Sequence, residues 1–318
     1  MSQLILHHYP QSPASEKVRV ALGIKGLAWR SVEIPRLPPR PDLFPLTGGY
    51  RRTPVMQIGA DIYCDSQCIL RELERRFPQP SLFPGGADGL AWAVSRWTDS
   101  ALFTLVAAVL FGEQGQEMPA EFLADRGRLY FGPDFDPAAL RRDLGHNRAQ
   151  LRAQLGWMEQ RLAGGRPFML GDRPGLPDAL CYHVVWFVRD RYRGGPGLLS
   201  EMPMLLAWEE RVRKIGHGNP TAMTSTAALE LAGAASPAAA APGIDDDVQN
   251  LRAGMSVSVT PDDDGGDPEV YGLISYLDHD SVTLLRRDPA AGEIAVHFPR
   301  VGYRVRPRRG GVRAAATR

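Results

Sequence analysis

The chain has 318 residues, of which 44% are hydrophobic and 23% are charged, with a formal net charge of +1. It is longer than the roughly 100–200 residues that one domain usually takes, which predicts two or three domains, each able to bury a core. A balanced charge gives no general attraction to nucleic acid or to an anionic membrane, because electrostatic steering needs a sustained excess of one sign. We therefore expect small molecules and other proteins as partners, and neither membrane nor nucleic acid.

The N-terminus and the cysteines favour a cytoplasmic protein. The sequence begins without a basic region followed by a long apolar run, and no segment approaches the roughly 20 apolar residues that span a bilayer. The three cysteines, Cys64, Cys68 and Cys181, are few and odd in number, which argues against a disulfide framework. We predict a reducing compartment.

The first 80 residues alternate between strand-like and helical patterns. A segment rich in proline and glycine, residues 35–50, is expected to be an irregular and mobile loop. The order strand, helix, strand, hairpin and helix is typical of a thioredoxin fold. The predicted elements are strands at 4–9 and 29–34, helices at 13–25 and 66–77, and two short strands reading "VMQI" and "DIYC".

The rest of the chain changes texture twice. Helical patterns fill residues 90–214, and "LAWAVSRWTDSALFTLVAAVLF" is apolar on most faces, which predicts a buried central helix. A possible short helix and an Ala/Pro-rich linker follow. Short alternating segments separated by "DDDGGDP", "DHD" and "DPAAGE" then predict a small antiparallel β-barrel or sandwich.

The predicted fold is thus multidomain, an α/β part followed by an all-α part and a small β part. Seven arginines and no acid lie in 300–318, but residues 245–299 hold twelve acids and three arginines, so a solvated basic tail is the simplest interpretation. The predicted boundaries are 1–80 for the thioredoxin-like domain, 88–232 for the helical domain, 233–247 for the linker, 248–308 for the β module and 309–318 for the tail.

Three features of the first domain point to an anion-holding site. Ser12 precedes Pro13, and proline is favoured in the first turn of a helix, where free N–H groups and the helix dipole stabilise an anion. Pro54, in "RRTPVM", stands directly before a strand, where a cis peptide would turn the following backbone towards a ligand. Asp65 and Ser66 start the next helix and can hold a carboxylate or an ammonium group.

Together with the helical region that follows, the segments "SPAS", "TPV" and "DS" resemble the cytosolic glutathione S-transferases, over roughly residues 3–230. The resemblance implies a thioredoxin-like domain, an all-helical domain, glutathione as co-substrate, no metal, and a homodimer. It also implies an enzyme that activates the glutathione thiol for attack on a small electrophile, as in detoxification. Conjugation, isomerisation and dehalogenation all share this first step.

The resemblance also implies roles for individual residues. Ser12 falls at the position of the serine that hydrogen-bonds the glutathione sulfur. The position that the tyrosine classes use falls on His8, with Tyr9 beside it. Because only the thiolate is a good nucleophile, a hydroxyl donor at a helix N-terminus would favour it. The implied glutathione-binding residues are Pro54, Val55 through its backbone, Asp65 and Ser66 at the γ-glutamyl end, and Arg52 at the glycyl carboxylate, with Tyr9 and Pro10 as possible substrate-pocket residues.

Simpler explanations remain open at several positions. Ser12 and Asp65 could be plain helix caps, and Ser15 could cap the helix or line the site. The helical domain has "GLPD" where a hydroxyl cap is usual, so glycine would cap beside Asp178. The remaining candidates are Trp92, Trp97 and Phe103 as core or pocket residues, His7 and His8 on opposite faces of a strand and so not a metal pair, and Cys64 with Cys68 as buried thiols.

Two further function classes compete with the enzyme. The scaffold could serve as a non-catalytic binding or assembly platform whose specificity lies in the β module, which the unusual extension favours. A thiol oxidoreductase of the same fold is disfavoured, because "SPAS" stands where that chemistry needs a cysteine.

Overall fold

The computed structural model describes residues 3–239, 243–244 and 246–308, so the predicted basic tail over 309–318 lies outside the described residues. Within them, ten strands form one sheet in the order β10-β6-β7-β8-β9-β4-β3-β1-β2-β5. Strands β1 to β4 belong to the thioredoxin-like part and β6 to β10 to the C-terminal module. The strands are β1 (Ile5–His8), β2 (Ala28–Glu33), β3 (Val55–Ile58), β4 (Asp61–Cys64), β5 (Asn219–Ala222), β6 (Ser256–Pro261), β7 (Val270–Leu277), β8 (Ser281–Asp288), β9 (Gly292–Pro299) and β10 (Tyr303–Pro307).

The thioredoxin-like part is confirmed almost residue by residue. β1 pairs parallel with β2 and antiparallel with β3, and β3 pairs antiparallel with β4. Helices α1 (Pro13–Ile24) and α3 (Ser66–Arg76) follow β1 and β4. β1, β3 and β4 are buried along their whole length, as expected for strands covered on both faces, whereas β2 is only partly buried.

Two short elements were missed by the sequence patterns. The segment expected to be irregular contains helix α2 (Leu43–Thr47), which ends at Gly48 with φ at 71°. β5 pairs parallel with the edge of β2, but all four of its residues are exposed, so it carries no hydrophobic pattern. Its proline is tolerated because the strand lies at the edge of the sheet.

The helical part packs around the central run predicted from its apolar residues. α4, a π-helical turn (Trp97–Ala101) and α5 continue into one helical run over Asp88–Glu117. An 18-residue window of this run has a mean hydropathy of 1.3, which by length and composition could cross a membrane, and half of that window is buried inside the protein. The helices are α4 (Asp88–Arg96), α5 (Leu102–Gln114), α6 (Ala120–Phe131), α7 (Pro137–Arg142), α8 (Leu144–Leu162), α9 (Leu176–Arg191), α10 (Gly195–Leu199), α11 (Pro203–Ile215) and α12 (Ser225–Gly233).

The start of α9 is held by a buried carboxylate rather than by a hydroxyl. Asp178 accepts hydrogen bonds from the backbone N–H groups of Gly175 (2.9 Å) and Met169 (2.8 Å) and from the Trp208 indole (2.8 Å). Glycine therefore serves as the cap, as the sequence predicts, because the aspartate supplies the reciprocal half of the capping box.

The C-terminal module forms consecutive antiparallel strands, but they do not close into a separate barrel. β6 pairs with β7, β7 with β8 and β8 with β9, while β10 pairs with β6. β9 then pairs parallel with β4 of the thioredoxin-like part, so the sheet continues across the boundary and β10 is its outer strand. The module is therefore an extension of the thioredoxin-like sheet.

Polar and aromatic contacts hold this boundary. The imidazole of His297 on β9 stacks on Tyr63 of β4 with ring centroids 4.3 Å apart. Its Nε2 lies 2.9 Å from the Asp61 carboxylate, and its Nδ1 lies 2.9 Å from the Thr283 hydroxyl. The Ala/Pro-rich linker joins the same network, because the N–H of Ala238 donates to Asp61 (2.9 Å).

Candidate active site

One cleft of about 830 Å³ collects residues from all three parts of the protein. The N-terminus of α1 and the turn before β3 form one wall, the helical part faces them, and loops of the C-terminal module close a third side. Representative lining residues are Ser12, Thr53 and Asp65 from the first part, Phe103 and Arg126 from the second, and Tyr303 from the third.

Ser12 sits at the N-terminus of α1 with its hydroxyl poised to donate. It is 2% exposed, has an extended backbone, and caps the helix. Its Oγ accepts hydrogen bonds from the N–H of Ser15 (3.1 Å) and from the Ser15 hydroxyl (2.9 Å). Because these bonds use the acceptor lone pairs of Ser12, its own O–H proton remains available to a ligand in the cleft.

The turn before β3 presents Thr53 and Pro54 to the cleft. The Thr53–Pro54 peptide is cis, as predicted. Val55 does not take the predicted position, because it is fully buried and paired with His7 on one side and Cys64 on the other. Thr53 lines the cleft instead, and its buried hydroxyl has no hydrogen-bond partner among the described residues.

Asp65 and Ser66 both line the cleft at the start of α3. Asp65 has φ at 75°, a region that side-chain-bearing residues rarely adopt, and its Oδ1 accepts a hydrogen bond from the N–H of Gln67 (2.8 Å). The other carboxylate oxygen accepts from the Tyr303 hydroxyl of the C-terminal module (3.0 Å). The Ser66 hydroxyl also lies 3.5 Å from Oδ1, so the carboxylate is fixed on both oxygens and Oδ2 keeps capacity for another donor.

Arg52 lines the cleft but is already engaged. Its guanidinium donates to Asp263 (2.8 Å) and to Asp267 (3.0 Å), both in the loop between β6 and β7. Although burial opposes its charge, these two carboxylates raise the pKa of Arg52 far above its usual value. The two acids give this group a local net charge of −1, so the predicted role of Arg52 at a glycyl carboxylate is not supported by its surroundings.

Three other arginines supply positive charge to the cleft. Arg51 and Arg126 both form ion pairs with Asp125, and Arg40 donates only to backbone carbonyls, those of Pro35, Arg36 and Arg51. Burial lowers the pKa of Arg40 to about 10, so it stays charged at neutral pH. Three guanidinium groups around one carboxylate make this part of the cleft locally positive, while Asp262, Asp263 and Asp264 line another side.

The cleft also contains a polar group beside the π-helical turn. Asp99 in this turn pairs with Lys17 of α1 and accepts a hydrogen bond from Ser95 (2.8 Å), and His183 of α9 lies 3.9 Å away. Burial lowers the pKa of His183 to about 4, so its imidazole is neutral at pH 7. The ion pair therefore joins the two domains across the cleft.

The remaining candidates divide between the cleft and the core. Tyr9 lines the cleft, with its hydroxyl 3.4 Å from Arg126, whereas Pro10 is exposed and is not part of the lining. Phe103 faces the cleft, whereas Trp92 and Trp97 pack against the hydrophobic core.

The histidines and cysteines of the first domain are structural. His8 is buried against Trp29 and bonds Ser31 and Arg19 away from the cleft lining. Burial raises the pKa of the Cys64 and Cys68 thiols, so neither resembles a reactive thiolate. Within the described residues, no group of three or more His, Cys, Asp or Glu side chains could hold a metal.

The fold and the cleft define a thioredoxin-fold enzyme with an attached helical domain. Residues 6–81 match the family described as the glutathione S-transferase N-terminal domain, and residues 137–211 match the corresponding C-terminal domain. The solved structure of a GST-like protein from Pseudomonas syringae is 34% identical with a TM-score of 0.79, and the match covers 97% of this chain and all of that one. The chain belongs to the glutathione S-transferase family, and the match to the solved structure extends over the additional strands.

Two curated relatives are isomerases. Maleylacetoacetate isomerase of Pseudomonas aeruginosa is 28% identical over 191 residues, which cover 54% of this chain and 76% of that protein. Maleylpyruvate isomerase of Ralstonia sp. is 29% identical over 86 residues, which cover 26% of this chain and only 41% of that protein. The chain is therefore a GST-like enzyme within a group that includes isomerases.

Proposed function

We propose that this enzyme binds glutathione in the cleft, lowers the pKa of its thiol with Ser12, and adds the thiolate to a small unsaturated electrophile that carries a carboxylate. The geometry of Ser12 is the observation that carries this proposal. Its free hydroxyl proton and the N-terminus of α1 both stabilise a negative sulfur more than a neutral one.

The cleft offers partners for each end of glutathione. Asp65 takes the γ-glutamyl ammonium group, and the Ser66 hydroxyl at the N-terminus of α3 takes the neighbouring carboxylate. Thr53, which lines the cleft beside the cis-proline, takes the cysteinyl part. Arg40 takes the glycyl carboxylate in place of Arg52, because among the described residues it forms no ion pair with an acid, and Arg51 assists it while sharing Asp125 with Arg126.

The same arginine group favours an anionic electrophile. Its local positive charge suits two carboxylates, one from glutathione and one from the substrate, and Arg126 lies on the helical wall where the substrate enters. A cis-unsaturated dicarboxylate of the kind that the maleyl isomerases are named for has this chemistry. Burial within the cleft strengthens the attraction, because charges interact more strongly away from water.

Isomerisation follows from reversible thiol addition. The thiolate forms a sulfur–carbon bond to one alkene carbon, and the π pair moves onto the adjacent carbonyl to give an enolate. Rotation about the resulting single bond and collapse of the enolate re-form the alkene as the trans isomer and expel the thiolate. Arg126 would stabilise the enolate, and glutathione is not consumed.

The test follows a cis-unsaturated dicarboxylic ketone with the wild type, Ser12→Ala and a matched control, Ser81→Ala, whose hydroxyl bonds Glu74 (2.6 Å) outside the cleft. We expect cis-to-trans conversion without loss of free thiol, slowed roughly tenfold to a hundredfold by Ser12→Ala because a hydrogen bond to a charged group contributes about 1.5–3 kcal/mol. Loss of free thiol would instead indicate conjugation. Equal rates in wild type and Ser12→Ala would overturn the role of Ser12.

The family resemblance further suggests that the enzyme acts as a homodimer, in which the first domain of one copy faces the helical domain of the other. A light-scattering measurement at dilute concentration is expected to give about twice the 34.9 kDa of one chain. A mass of one chain alone would overturn this assembly.

A further inference from the structure

The C-terminal module reaches the cleft through two connected loops. The loop over 262–267, which we term the strap, and the turn over 301–303 both line the cleft beside the start of α3. The N–H of Asp262 in the strap donates to the carbonyl of Gly302 in the turn (2.9 Å). A backbone hydrogen bond therefore connects the two loops.

The strap is anchored to both domains of the transferase body. Asp263 and Asp267 hold Arg52, and the Asp267 side chain is only 4% exposed. On the other side, a Cβ atom at Gly266 would lie 2.4 Å from the Arg128 guanidinium of α6, so that side chain packs directly on the strap backbone. The strap thus spans the mouth of the cleft between the two domains.

The turn after the strap delivers Tyr303 to the candidate ligand group Asp65. The Tyr303 hydroxyl donates to Oδ2 of Asp65 (3.0 Å), and the Tyr50 hydroxyl lies 2.9 Å from the same Tyr303 oxygen. Burial, and next the negative charge of Asp65, raise the pKa of Tyr303 well above its usual value. The phenol therefore keeps its proton at neutral pH and donates it to the carboxylate.

We propose that Tyr303 is a positioning residue of the glutathione site, which presents the Asp65 carboxylate to the γ-glutamyl ammonium group. The inference rests on the proposed function, because it takes Asp65 as a glutathione ligand. The C-terminal module is then an integral wall of the active site rather than a separate recognition domain.

Two physical features make this positioning necessary. Asp65 has a positive φ, so the conformation that aims its side chain must be imposed by contacts around it. One oxygen is held by the N–H of Gln67 within α3, and Tyr303 holds the other, which fixes the plane of the carboxylate. Oδ2 retains an acceptor site beside the Tyr303 hydroxyl, so an ammonium group can still bind.

The hydrogen bond from Tyr303 to Asp65 could instead oppose glutathione binding. If the Tyr303 hydroxyl occupied the place of the ammonium group, it would compete with glutathione, and its removal would tighten binding. Positioning and competition therefore predict opposite signs for the same substitution.

The experiment is calorimetric titration of glutathione into the full chain as wild type, Tyr303→Phe and Tyr50→Phe. The matched control is Tyr276→Phe, which removes a hydroxyl from the same module that bonds Asp278 (2.8 Å) outside this cleft. The pKa of the bound thiol is followed in parallel by thiolate absorbance. If the role of Tyr303 were purely structural, Tyr303→Phe would change the glutathione affinity and the pKa of the bound thiol together.

We expect Tyr303→Phe to raise the glutathione Kd by about threefold to tenfold, as for loss of a modest hydrogen bond to a charged group. Tyr50→Phe is expected to give a smaller increase, Tyr276→Phe no change, and the thiol pKa of the bound complex should stay the same in all of them. Unchanged or tighter binding in Tyr303→Phe would overturn the inference and leave the proposed function standing. Failure of the wild type to bind glutathione would overturn both.

Discussion

The two ends of the cleft are built in different ways. Ser12 is held by Tyr9 and Ser15, which lie within three residues of it, and by the helix that it caps. Asp65 depends on Tyr303, 238 residues further along the chain, and its neighbour Arg52 depends on acids more than 200 residues away. The end of the cleft at Ser12, proposed to activate the thiol, is thus a local feature of the first domain, whereas the proposed binding end at Asp65 contacts the C-terminal module.

The largest expected effect comes from breaking the contact between the module and the first domain. Asp267→Ala removes the almost fully buried partner of Arg52 and leaves Asp263, so we expect a loss of about 1.5–3 kcal/mol in the free energy of unfolding, as for a hydrogen bond to a charged group. Urea unfolding of the full chain measures this loss.

A matched control isolates burial as the cause. Asp280 of the module pairs with Arg71 of α3 at the surface, where its side chain is 55% exposed. Asp280→Ala is expected to cost less than about 1 kcal/mol, because exposed ion pairs contribute little. Equal losses in the two variants would show that the strap contributes no more than an ordinary surface contact.

Acid should destabilise the buried histidines first and the carboxylates at the module boundary at lower pH. Burial lowers the pKa of His183 to about 4 and that of His7 to about 4, from an ordinary value of 6.5. The unfolded chain therefore binds protons first, and each histidine contributes stability that is present above pH 6.5 and lost as the pH falls towards 4, up to about 3 kcal/mol each. The carboxylates Asp61 and Asp263 at the module boundary have lowered pKa values, despite desolvation, and lose their contribution below this window.

The variant that checks this pH dependence is His183→Gln. The wild type is expected to lose stability between pH 7 and pH 5, and His183→Gln should lose about 2 kcal/mol less over the same interval. Identical losses, measured by urea unfolding at both pH values, would mean that His183 titrates normally in the folded protein.

A smaller effect is expected from removal of the Ser15 hydroxyl, which donates a hydrogen bond to Ser12. The Ser15 hydroxyl is fully buried and donates to Ser12 Oγ, which makes the Ser12 proton a better donor. Ser15→Ala should reduce kcat/KM by about threefold to tenfold, less than Ser12→Ala does, in steady-state assays of the wild type and both variants. A larger loss in Ser15→Ala than in Ser12→Ala would exchange the roles of the two serines.

The sequence predicts the parts of the protein whose chemistry is local. The strands "VMQI" and "DIYC" and the cap at Ser12 follow from hydrophobic runs and from the N-terminal turn of a helix. The edge strand β5 could not be found in this way, because its four residues are exposed and contain proline. The open sheet of the module was also missed, since pairing of β9 with β4 depends on partners distant in the chain.

The errors within the site have the same origin. The resemblance implies that Val55 binds the ligand, but Val55 pairs with both neighbouring strands. Thr53 lies at the cleft wall instead. The resemblance implies that Arg52 binds the glycyl carboxylate, but in the folded protein Arg52 pairs with Asp263 and Asp267 of the strap. The acidic run "DDDGGDP" and the basic residues of "YRR" have complementary charges, which is the one signal in the sequence for this contact. Charge alone does not specify which residues pair.

The central claim is tested most directly by the pKa of the glutathione thiol when bound. In the wild type, thiolate absorbance as a function of pH should give a value below the roughly 8.5 of a free cysteine thiol. Ser12→Ala should return the pKa towards that of free thiol, whereas Tyr303→Phe should leave it lowered while weakening binding. A bound thiol pKa that is the same in the wild type and in Ser12→Ala would contradict the account.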